Sequence, residues 1–488
     1  MSKIAIVVGA GIAGIASAIR LAKRGYTVSV YEANNFPGGK LTEINKGGYR
    51  FDAGPSLFTL PNLVEELFEL FQLNTSDYFE YEELDETCRY FFPDGTSLTA
   101  WADTDRLLKE FEEKLGEPKS NVLSALNKSA LLYEHLAPLF IERSIHKPST
   151  WLGKKAFKAY SKINQFDFNR SMNKANEDHF KNPKTVQLFN RYATYNGSDP
   201  YQTPATLNII PHLEFGIGAF FPKGGMHQIT SSLYALALDA GVKFYFDLPV
   251  KKIIVHEGEA KGVETKMGFH KADRVICNMD MVAAYKSILK DQTQPKKLLN
   301  QPKSSSALIF YWGIKKDFKQ LGLHNIFFSK DYQTEFEHIF KKGSIYEDPT
   351  VYINITSTKN QNDAPTGCQN WFTMINVPNN QGQDWDSYIS QARKSILQKL
   401  SREIGEEIEP LIEVEEILDP RLIEQKTSSI AGALYGNSSN NKYAAFLRHP
   451  NFSKKIKNLY FCGGSVHPGG GIPLCLSSAK LVDELMNE

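Results

Sequence analysis

The sequence is poor in the residues that build several common kinds of site. It has five cysteines, an odd number with no CxxC spacing, so neither a disulfide framework nor a cysteine-ligated metal is expected. It also shows no cluster of metal ligands, no Ser/His/Asp set and no pair of neighbouring catalytic carboxylates. We therefore predict no metal site, and reduced, mostly structural cysteines at Cys88, Cys277, Cys368, Cys462 and Cys475.

Long hydrophobic runs are also missing. No apolar stretch approaches the ~20 residues of a membrane-spanning helix. The N-terminal MSKIAIVVGAG lacks the order of basic, apolar and small residues that a signal peptide has. A hydrophobic fraction of 42% and a charged fraction of 23% are typical of a soluble globular protein. We expect a cytoplasmic protein, and its 488 residues are enough for two domains.

The net charge of +1 conceals a basic segment. Residues 143–184 contain ten Lys or Arg and three Asp or Glu, an excess of seven positive charges, with aromatic residues among them. Such a segment is typical of proteins that bind a membrane surface. It is also compatible with a solvated helical face above core aromatics. Charge alone would allow nucleic-acid binding, but the N-terminal motif described next makes us expect none.

The N-terminal region carries a nucleotide-binding motif. IAIVV is typical of a buried strand, GAGIAG follows at once and leads into a helix-like run, and TVSVYE is a second strand that ends at Glu32. In this context Gly9 makes the tight turn, Gly11 lets a pyrophosphate approach the backbone, and Gly14 allows close packing of helix on strand. Glu32 is expected to bind ribose hydroxyls. The pattern predicts a dinucleotide at the N-terminus of the helix.

Three glycine-rich turns lie further along the chain. PGGK follows Glu32 almost directly, GGYRFDAGPSLF comes next, and CGGSVHPGGGIPLCLSSAK lies near the C-terminus between a strand-like and a helix-like run. We expect the bare backbone of residues 469–471 to lie against a flat flavin ring, where a Cβ would collide. Pro473 suits the first turn of the following helix. The N-terminus of that helix would stabilise negative charge on the ring.

Together these motifs resemble those of carotenoid desaturases of the bacterial phytoene-desaturase type. The resemblance is carried by GAGIAG, YEAN, PGGK, RFDAGPSLFTLP, RYATYNGSDPYQTPATLNIIPHLEFGIGAFFPKGGMHQI and CGGSVHPGGGIPLCLSSAK, which span nearly the whole chain. RFDAGPSLFTLP and PHLEFGIGAFFPKGGMHQI look most like the hydroxycarotenoid 3,4-desaturase branch. Lys40 departs from the family pattern, because many relatives carry arginine there, and lysine supplies a point charge instead of a fork.

The resemblance implies an α/β fold with two parts. One is a glutathione-reductase-like Rossmann domain that binds FAD, and the other is a discontinuous substrate domain with a mixed sheet and helices. We assign residues 1–85, 220–290 and 425–488 to the FAD domain. Residues 86–219 and 291–424 are assigned to the substrate and membrane-docking domain.

The resemblance also implies which residues hold the cofactor. All of them lie in the glycine-rich turns or at strand ends of the FAD domain, and Asn278 is expected to face the cofactor. The predicted FAD-binding residues are Gly9, Gly11, Ala13, Gly14, Glu32, Ala33, Gly39, Lys40, Leu41, Pro55, Ser56, Val250, Asn278, Gly464, Ser465, Gly471 and Ile472.

The activity implied by the family is removal of two hydrogens from adjacent carbons of an acyclic carotenoid. For the branch indicated, the new conjugated double bond is C3=C4 of a pigment with a hydroxyl on C1. A general base would assist proton loss, and His467 and Glu214 are weak candidates. Each also has a structural interpretation. His467 would be a loop residue that bonds to its own backbone, and Glu214 would be a solvated or salt-bridged acid. A hydroxylated substrate needs at least one polar group at the tunnel end, which the sequence does not locate.

Other activities stay open at this point. A desaturase of phytoene or neurosporene type, or a carotenoid cis–trans isomerase, would share the same motifs. An amine oxidase of related fold would turn over amines and release peroxide. A carotenoid carrier would bind pigment without reducing its flavin.

The expected partners follow from the substrate. A carotenoid stays dissolved in the bilayer, so the protein is expected to dock peripherally on the inner membrane through residues 143–184. The electron acceptor would be oxygen or a quinone.

Overall fold

The computed structural model describes residues 3–444 and 446–486. Within this range the chain forms α-helices and β-strands, with short 3-10 and π-helical turns between them. The helices are α1 Ile12–Lys23, α2 Asn62–Glu69, α3 Thr104–Leu115, α4 Lys119–Phe140, α5 Pro148–Trp151, α6 Lys154–Tyr160, α7 Met172–His179, α8 Pro183–Asn190, α9 His227–Asp239, α10 Met281–Lys286, α11 Lys296–Leu299, α12 Tyr332–Glu337, α13 Trp385–Ile404, α14 Pro420–Thr427 and α15 Ile472–Leu485.

The strands are mostly short, and among the described residues none lies between β7 and β8, where the chain is helical. They are β1 Ile4–Val8, β2 Thr27–Tyr31, β3 Glu43–Lys46, β4 Tyr49–Asp52, β5 Tyr81–Glu83, β6 Glu86–Phe91, β7 Ser97–Trp101, β8 Phe220–Pro222, β9 Lys243–Tyr245, β10 Lys252–His256, β11 Glu259–Thr265, β12 Gly268–Lys271, β13 Arg274–Cys277, β14 Ser306–Ile314, β15 His324–Phe327, β16 Val351–Asn354, β17 Gln369–Val377, β18 Ile412–Leu418 and β19 Leu459–Phe461.

A five-stranded parallel sheet forms the nucleotide-binding half. Its strand order is β19-β13-β1-β2-β9, so the N-terminal strand lies in the centre. A central parallel strand is covered on both faces, which explains why β1 is a continuous apolar run. Helices α1, α9 and α15 pack on one face of the sheet. The antiparallel strands β10-β11-β12 cover the other face.

A seven-stranded mixed sheet forms the second half, in the order β18-β14-β17-β16-β15-β6-β7. One face packs on α13 through a core that includes Trp312, Trp371 and Trp385. The residues at alternate positions, such as Ile309 and Phe372, point the other way and join a separate cluster. Because both faces are buried, β14 is apolar along its length instead of alternating.

The two sheets draw on different parts of the chain. All strands of the parallel sheet come from the segments assigned above to the FAD domain, and all strands of the mixed sheet come from the other two segments. The hairpin β3–β4 is an intermediate case, because Tyr49 and Phe51 pack against the mixed sheet. The boundaries of the two domains stay a prediction.

Candidate active site

A cavity of about 1420 Å³ lies where the two halves meet. On one side it is lined by the carboxyl ends of the parallel strands, including Gly9 after β1 and Glu32 after β2. On the other side it is lined by the mixed sheet, including Ile309 and Phe372. Ligands of open parallel sheets bind at the carboxyl ends of the strands. The cavity therefore joins a nucleotide-type site to an apolar compartment.

Three glycines lie at the start of α1, and each is required there for a different physical reason. Gly9 has φ +95°, which favours glycine. A Cβ on Gly14 would lie 2.1 Å from the Gly9 carbonyl oxygen, so Gly14 allows the close packing of turn on helix. A Cβ on Gly11 would lie 2.8 Å from the side-chain amide of Asn278. The structure thus explains Gly11 by a protein neighbour and not only by an approaching ligand.

Asn278 lies at the N-terminus of α1. In the amide orientation that satisfies both partners, its oxygen accepts hydrogen bonds from Gly11 N and Gly14 N, each at 3.2 Å. Gly11 itself contributes no side-chain cap to the helix. Asn278 therefore caps the helix and lines the cavity at the same time.

Glu32 is held in place by backbone donors. One carboxylate oxygen accepts from Ala10 N at 2.7 Å and the other from Asn34 N at 2.9 Å. The side chain is buried and lines the cavity. A carboxylate fixed at the end of the second parallel strand is placed to bind ribose hydroxyls.

The C-terminal glycine loop differs in part from the expectation. A Cβ on Gly470 would lie 2.7 Å from the Tyr435 ring, and one on Gly469 would lie 3.2 Å from the Arg448 guanidinium carbon. These two glycines are required by protein neighbours. Gly471, at the N-terminus of α15, has φ +104°, and a Cβ added to it would have no described protein atom within 4 Å. Gly471 is thus the member of the loop whose bare backbone faces open space.

Two cations lie beside this loop, of which Arg448 is buried and Lys40 is half-buried. Lys40 Nζ donates to the carbonyl oxygens of Leu434 at 2.9 Å and Ala433 at 3.4 Å, and burial lowers its pKa. Burial likewise lowers the pKa of Arg448 to about 10. Its Nη1 donates to the carbonyl oxygens of Tyr435 at 3.4 Å and Gly464 at 3.5 Å. Within residues 3–444 and 446–486 no carboxylate lies at ion-pair distance from either cation, although the charge of Asp280 acts on Lys40 and partly opposes the lowering of its pKa.

These features fit FAD. They combine the N-terminus of helix α1 with a fixed carboxylate after the second strand and open backbone at Gly471. The two cations Lys40 and Arg448 suit a pyrophosphate or an anionic ring. Most predicted cofactor residues line this one cavity, whereas Gly14 does not and acts through packing. Those on the cavity wall are Gly9, Gly11, Ala13, Glu32, Ala33, Gly39, Lys40, Leu41, Pro55, Ser56, Val250, Asn278, Gly464, Ser465, Gly471 and Ile472.

The two candidate bases also line the cavity, but both are engaged. His467 Nε2 donates to the carbonyl oxygen of Arg143 at 2.8 Å in the tautomer that bond requires, and burial lowers the pKa of His467 to about 3. Glu214 accepts a hydrogen bond from Tyr195 at 2.6 Å and is 3.3 Å from Arg191 Nη2. Both side chains are therefore bound to protein groups, and a catalytic role for either stays a prediction.

The cavity also has polar wall residues that the sequence did not indicate. His324 on β15 and Tyr352 on β16 lie on the cavity side of the mixed sheet, and Arg191 is buried nearby between β6 and Glu214. These residues come from distant segments that become neighbours only when the sheet forms. Of these three residues, only Arg191 could have been found from the sequence, because it is the first residue of the long middle motif RYATYNGSDPYQTPA.

An apolar surface adjoins the cavity at Phe446. Phe446 lines the cavity and is itself 45% exposed, and its ring stacks on Trp151 with centroids 5.8 Å apart. Helices α5 and α6 follow, with Leu152 72% and Phe157 62% exposed. We call the following exposed residues the apolar apron: Leu152, Phe157, Tyr160, Ile163, Tyr443, Phe446 and Leu447.

The basic charges of residues 143–184 are partly neutralised within the protein. Lys155 pairs with Glu142 at 2.7 Å, and Lys158 pairs with Glu134 at 2.6 Å. Further ion pairs in the same segment are formed by Arg170, Lys174 and Lys184. At least five of the ten cations are therefore paired, and the excess charge available to a partner is smaller than the sequence indicates.

Membrane-spanning helices and metal-binding clusters are both absent from the described part of the chain. Between residues 3 and 444 and between 446 and 486, no helix is both long enough and apolar enough to cross a bilayer. Over the same ranges, no three His, Cys, Asp or Glu side chains come together in a way that would hold a metal ion.

Comparison with known proteins gives concordant matches. The family model for flavin containing amine oxidoreductase matches residues 12–482. A 1-hydroxycarotenoid 3,4-desaturase of Flavobacterium sp. (strain P99-3) is 53% identical over 99% of both chains. A 4,4'-diaponeurosporene oxygenase of Staphylococcus aureus is 31% identical over 100% of this chain and 98% of its own. Cyclohexylamine oxidase of Brevibacterium oxydans has a similar fold, with a TM-score of 0.63 at 15% identity over 100% of both chains.

Proposed function

Because this chain belongs to the family of flavin-containing amine oxidoreductases, we propose that it is an FAD-dependent carotenoid 3,4-desaturase acting on a pigment with a hydroxyl on C1. The predicted resemblance and the predicted fold class are confirmed. The chain is a flavin-dependent oxidoreductase, and its cofactor is FAD. The observation that carries the proposal is one cavity whose nucleotide-type end continues into an apolar compartment.

The geometry supports different roles for the two ends of the cavity, one for the cofactor and one for the hydrocarbon chain of the substrate. When bound, FAD supplies the acceptor for the hydride that leaves the substrate. The apolar wall, with Ile309, Phe372 and Met374, suits a hydrocarbon chain and excludes water from it. The polyene itself spreads the developing positive charge, so alignment is the main contribution of the protein. We propose no base, because His467 and Glu214 are both engaged with protein groups.

We further propose that the residues of the cavity wall hold FAD in the way the motif implies. The α1 N-terminus and its Asn278 cap would lie against the pyrophosphate, and Glu32 would bind the ribose. Lys40 and Arg448 would supply positive charge, and Gly471 would lie against the ring. Removal of bound FAD by dialysis against concentrated bromide should abolish the yellow absorption and the activity together, and added FAD should restore both.

Docking on the inner membrane from the cytoplasmic side is the second part of the proposal. The apolar apron is continuous with the cavity at Phe446, so a carotenoid could pass from a bilayer to the cavity without crossing water. The remaining unneutralised cations of residues 143–184 would add attraction to anionic headgroups. The acceptor that takes electrons from the reduced enzyme would be oxygen or a quinone, and rates under nitrogen with and without added quinone distinguish them.

The central test uses holoenzyme with two sets of vesicles. One set contains a carotenoid with a 1-hydroxylated acyclic end, and the other contains phytoene. A red shift and the loss of two hydrogens with the hydroxylated pigment alone would support the proposal. Conversion of phytoene alone would replace it by the phytoene-type reaction. A changed spectrum at unchanged mass would indicate isomerisation, and no change in either set would contradict desaturation.

A further inference from the structure

Ser56, Tyr352 and His324 form a hydrogen-bonded chain on the wall of the cavity. The Tyr352 hydroxyl lies 2.7 Å from Ser56 Oγ and 2.7 Å from His324 Nδ1. His324 and Tyr352 project from adjacent antiparallel strands, on the face that also carries Phe372 and Met374. A line of polar groups thus crosses a wall that is otherwise largely apolar.

This hydrogen-bonded chain ends at His324, whose Nε2 has no protein partner among the described residues. Asn354 Nδ2, which also donates to the Leu323 carbonyl oxygen at 3.1 Å, lies 3.2 Å from His324 Nδ1 and donates to it. Nδ1 is therefore an acceptor, and the proton of the neutral ring is on Nε2. Burial, followed by the charge of Arg191, lowers the pKa of His324 to about 3, so the ring is neutral.

That donor is buried and unsatisfied. The His324 side chain is only 4% exposed, and its Nε2 has no hydrogen-bond partner among the described residues. Buried N–H groups in folded proteins are nearly always paired, so one that lines a cavity calls for a partner on the ligand. At the other end of the hydrogen-bonded chain, Ser56 Oγ donates to Tyr352 when Tyr352 donates to His324, and the Ser56 oxygen can still accept a hydrogen bond.

The chemistry of the substrate places its hydroxyl close to the reacting bond. Only C2 separates the hydroxyl-bearing C1 from C3, so the group that holds the hydroxyl must lie near the cofactor and not at the far end of the tunnel. Ser56 and its neighbour Pro55 are predicted to bind FAD. The hydrogen-bonded chain is therefore at the end of the cavity where the hydroxyl would be.

We propose that His324, positioned by Tyr352 and Asn354, donates its Nε2 hydrogen to the hydroxyl on C1 of the substrate and so selects hydroxylated carotenoids. This rests on the proposed function. A pigment without the hydroxyl would leave the buried N–H unpaired, and sites built to bond a hydroxyl reject analogues that lack it. In the proposed complex the substrate oxygen would be the partner that His324 Nε2 lacks among the described residues.

The test compares two pigments that differ only in the hydroxyl on C1, presented in vesicles to holoenzyme. The kcat/KM ratio between them is measured for wild type and three variants. His324→Leu should lower the preference for the hydroxylated pigment by about tenfold or more, the effect of one lost hydrogen bond. Tyr352→Phe should lower it less, because Asn354 still orients the ring. His324→Gln, which keeps an N–H donor, should restore part of the preference.

Tyr311→Phe is the matched control. Tyr311 is buried on the same face of the sheet, lines the same cavity and has a hydroxyl without a partner among the described residues. Its removal should leave the preference unchanged. An unchanged preference in His324→Leu, or an equal loss in Tyr311→Phe, would overturn the proposal. If His324→Leu fails to fold or to retain FAD, Tyr352→Phe, which removes one oxygen atom, decides the question.

A binding measurement separates this inference from the proposed function. With the flavin reduced by dithionite under nitrogen, pigment uptake is followed by quenching of tryptophan fluorescence, and no turnover occurs. The ratio of the two dissociation constants should show the same preference and the same loss in His324→Leu. If wild type binds the hydroxylated pigment selectively but removes no hydrogens, the proposed function fails while the inference stands. If it desaturates both pigments and binds them equally, the inference fails alone.

Discussion

Individual glycines around the cavity are required for distinct physical reasons. Gly14 lies in a helix where a Cβ would meet the Gly9 carbonyl oxygen at 2.1 Å, whereas Gly471 faces open space and is required by its positive φ. Gly470 is explained by the Tyr435 ring. A glycine run in sequence therefore marks a ligand site only at those members that face the cavity.

Replacement of Gly14 by alanine should destabilise the turn that begins α1. Because the obstructing atom is backbone, the helix or the strand must shift, and overpacking of this kind typically costs about 1–3 kcal/mol. We expect a lower midpoint of thermal unfolding and a lower ratio of flavin to protein absorbance. Gly241→Ala is the control, since it has φ +82° and no atom within 4 Å of the added Cβ. It should lower the midpoint without loss of flavin, and equal flavin loss in both variants would contradict the argument.

Arg448 is buried and has no carboxylate partner among the described residues, so its replacement should have opposite effects on two measurements. A buried cation without a counter-charge destabilises the folded state unless a ligand supplies one. Arg448→Met should raise the thermal midpoint of FAD-depleted protein and weaken FAD binding by about tenfold, near 1.4 kcal/mol. Arg448→Lys, which keeps the charge, should retain more affinity. A lower midpoint with unchanged FAD affinity would show that Arg448 serves only to pack against Gly469.

At the scale of elements, three histidines join separate segments beside the glycine loop. His467 donates to the Arg143 carbonyl oxygen and its ring meets the edge of His146 at 5.6 Å. The His449 carbonyl oxygen accepts from His467 N at 2.9 Å. Burial lowers the pKa to about 4 for His146 and His449 and to about 3 for His467. All three are therefore neutral in the folded protein near pH 7.

Lowering the pH should weaken the contacts that these three histidines make. The folded pKa of each histidine lies below its usual value of 6.5, so the stabilisation is complete above about pH 6.5 and is lost as pH falls towards 3. Within that pH range, each such histidine lowers the free energy of unfolding by about 1.4 kcal/mol for every pH unit of acidification. His467→Gln, which keeps a donor for Arg143 but cannot protonate, should flatten the fall in the free energy of unfolding between pH 6.5 and 4. The exposed His256→Gln should not, and equal slopes in both variants would contradict the assignment.

The sequence predicts elements well where their pattern is local. The turn between β1 and α1 lies where the residues indicate it, and the second strand ends at Tyr31, directly before Glu32. What the sequence could not predict is contact between distant strands. His324 and Tyr352 are 28 residues apart and meet only because β15 and β16 pair in the mixed sheet. Likewise, Gly469 and Gly470 belong to a ligand-like motif but are explained by Arg448 and Tyr435.

At the scale of the whole molecule, the cavity and the apolar apron together suggest how a carotenoid would enter. The sequence indicated a basic segment, but ion pairs such as Lys155–Glu142 neutralise much of its charge. What remains is an exposed apolar surface at Leu152, Phe157 and Ile163 beside the cavity residue Phe446. We therefore expect membrane docking to depend more on apolar contact than on charge.

Replacement of the apron should detach the protein from vesicles. The triple variant Leu152→Ser, Phe157→Ser and Ile163→Ser should reduce co-sedimentation with anionic vesicles at least tenfold, because burial of each large apolar side chain contributes about 1.5–3 kcal/mol. Moderate salt should reduce wild-type binding much less, since salt screens only the charge contribution.

The chain supplies a matched control on another surface. Met267 lies between β11 and β12 and Phe269 lies in β12, and they are 73% and 55% exposed, comparable to the apron. Met267→Ser with Phe269→Ser should leave co-sedimentation unchanged, because these residues belong to the β10–β12 sheet and not to the apolar apron. When the pigment is dissolved in detergent, the protein does not need to bind a membrane. The apron variant should then convert the pigment at close to the wild-type rate. Equal detachment by the control, or equal loss of activity in detergent, would show that the apron does not act by docking.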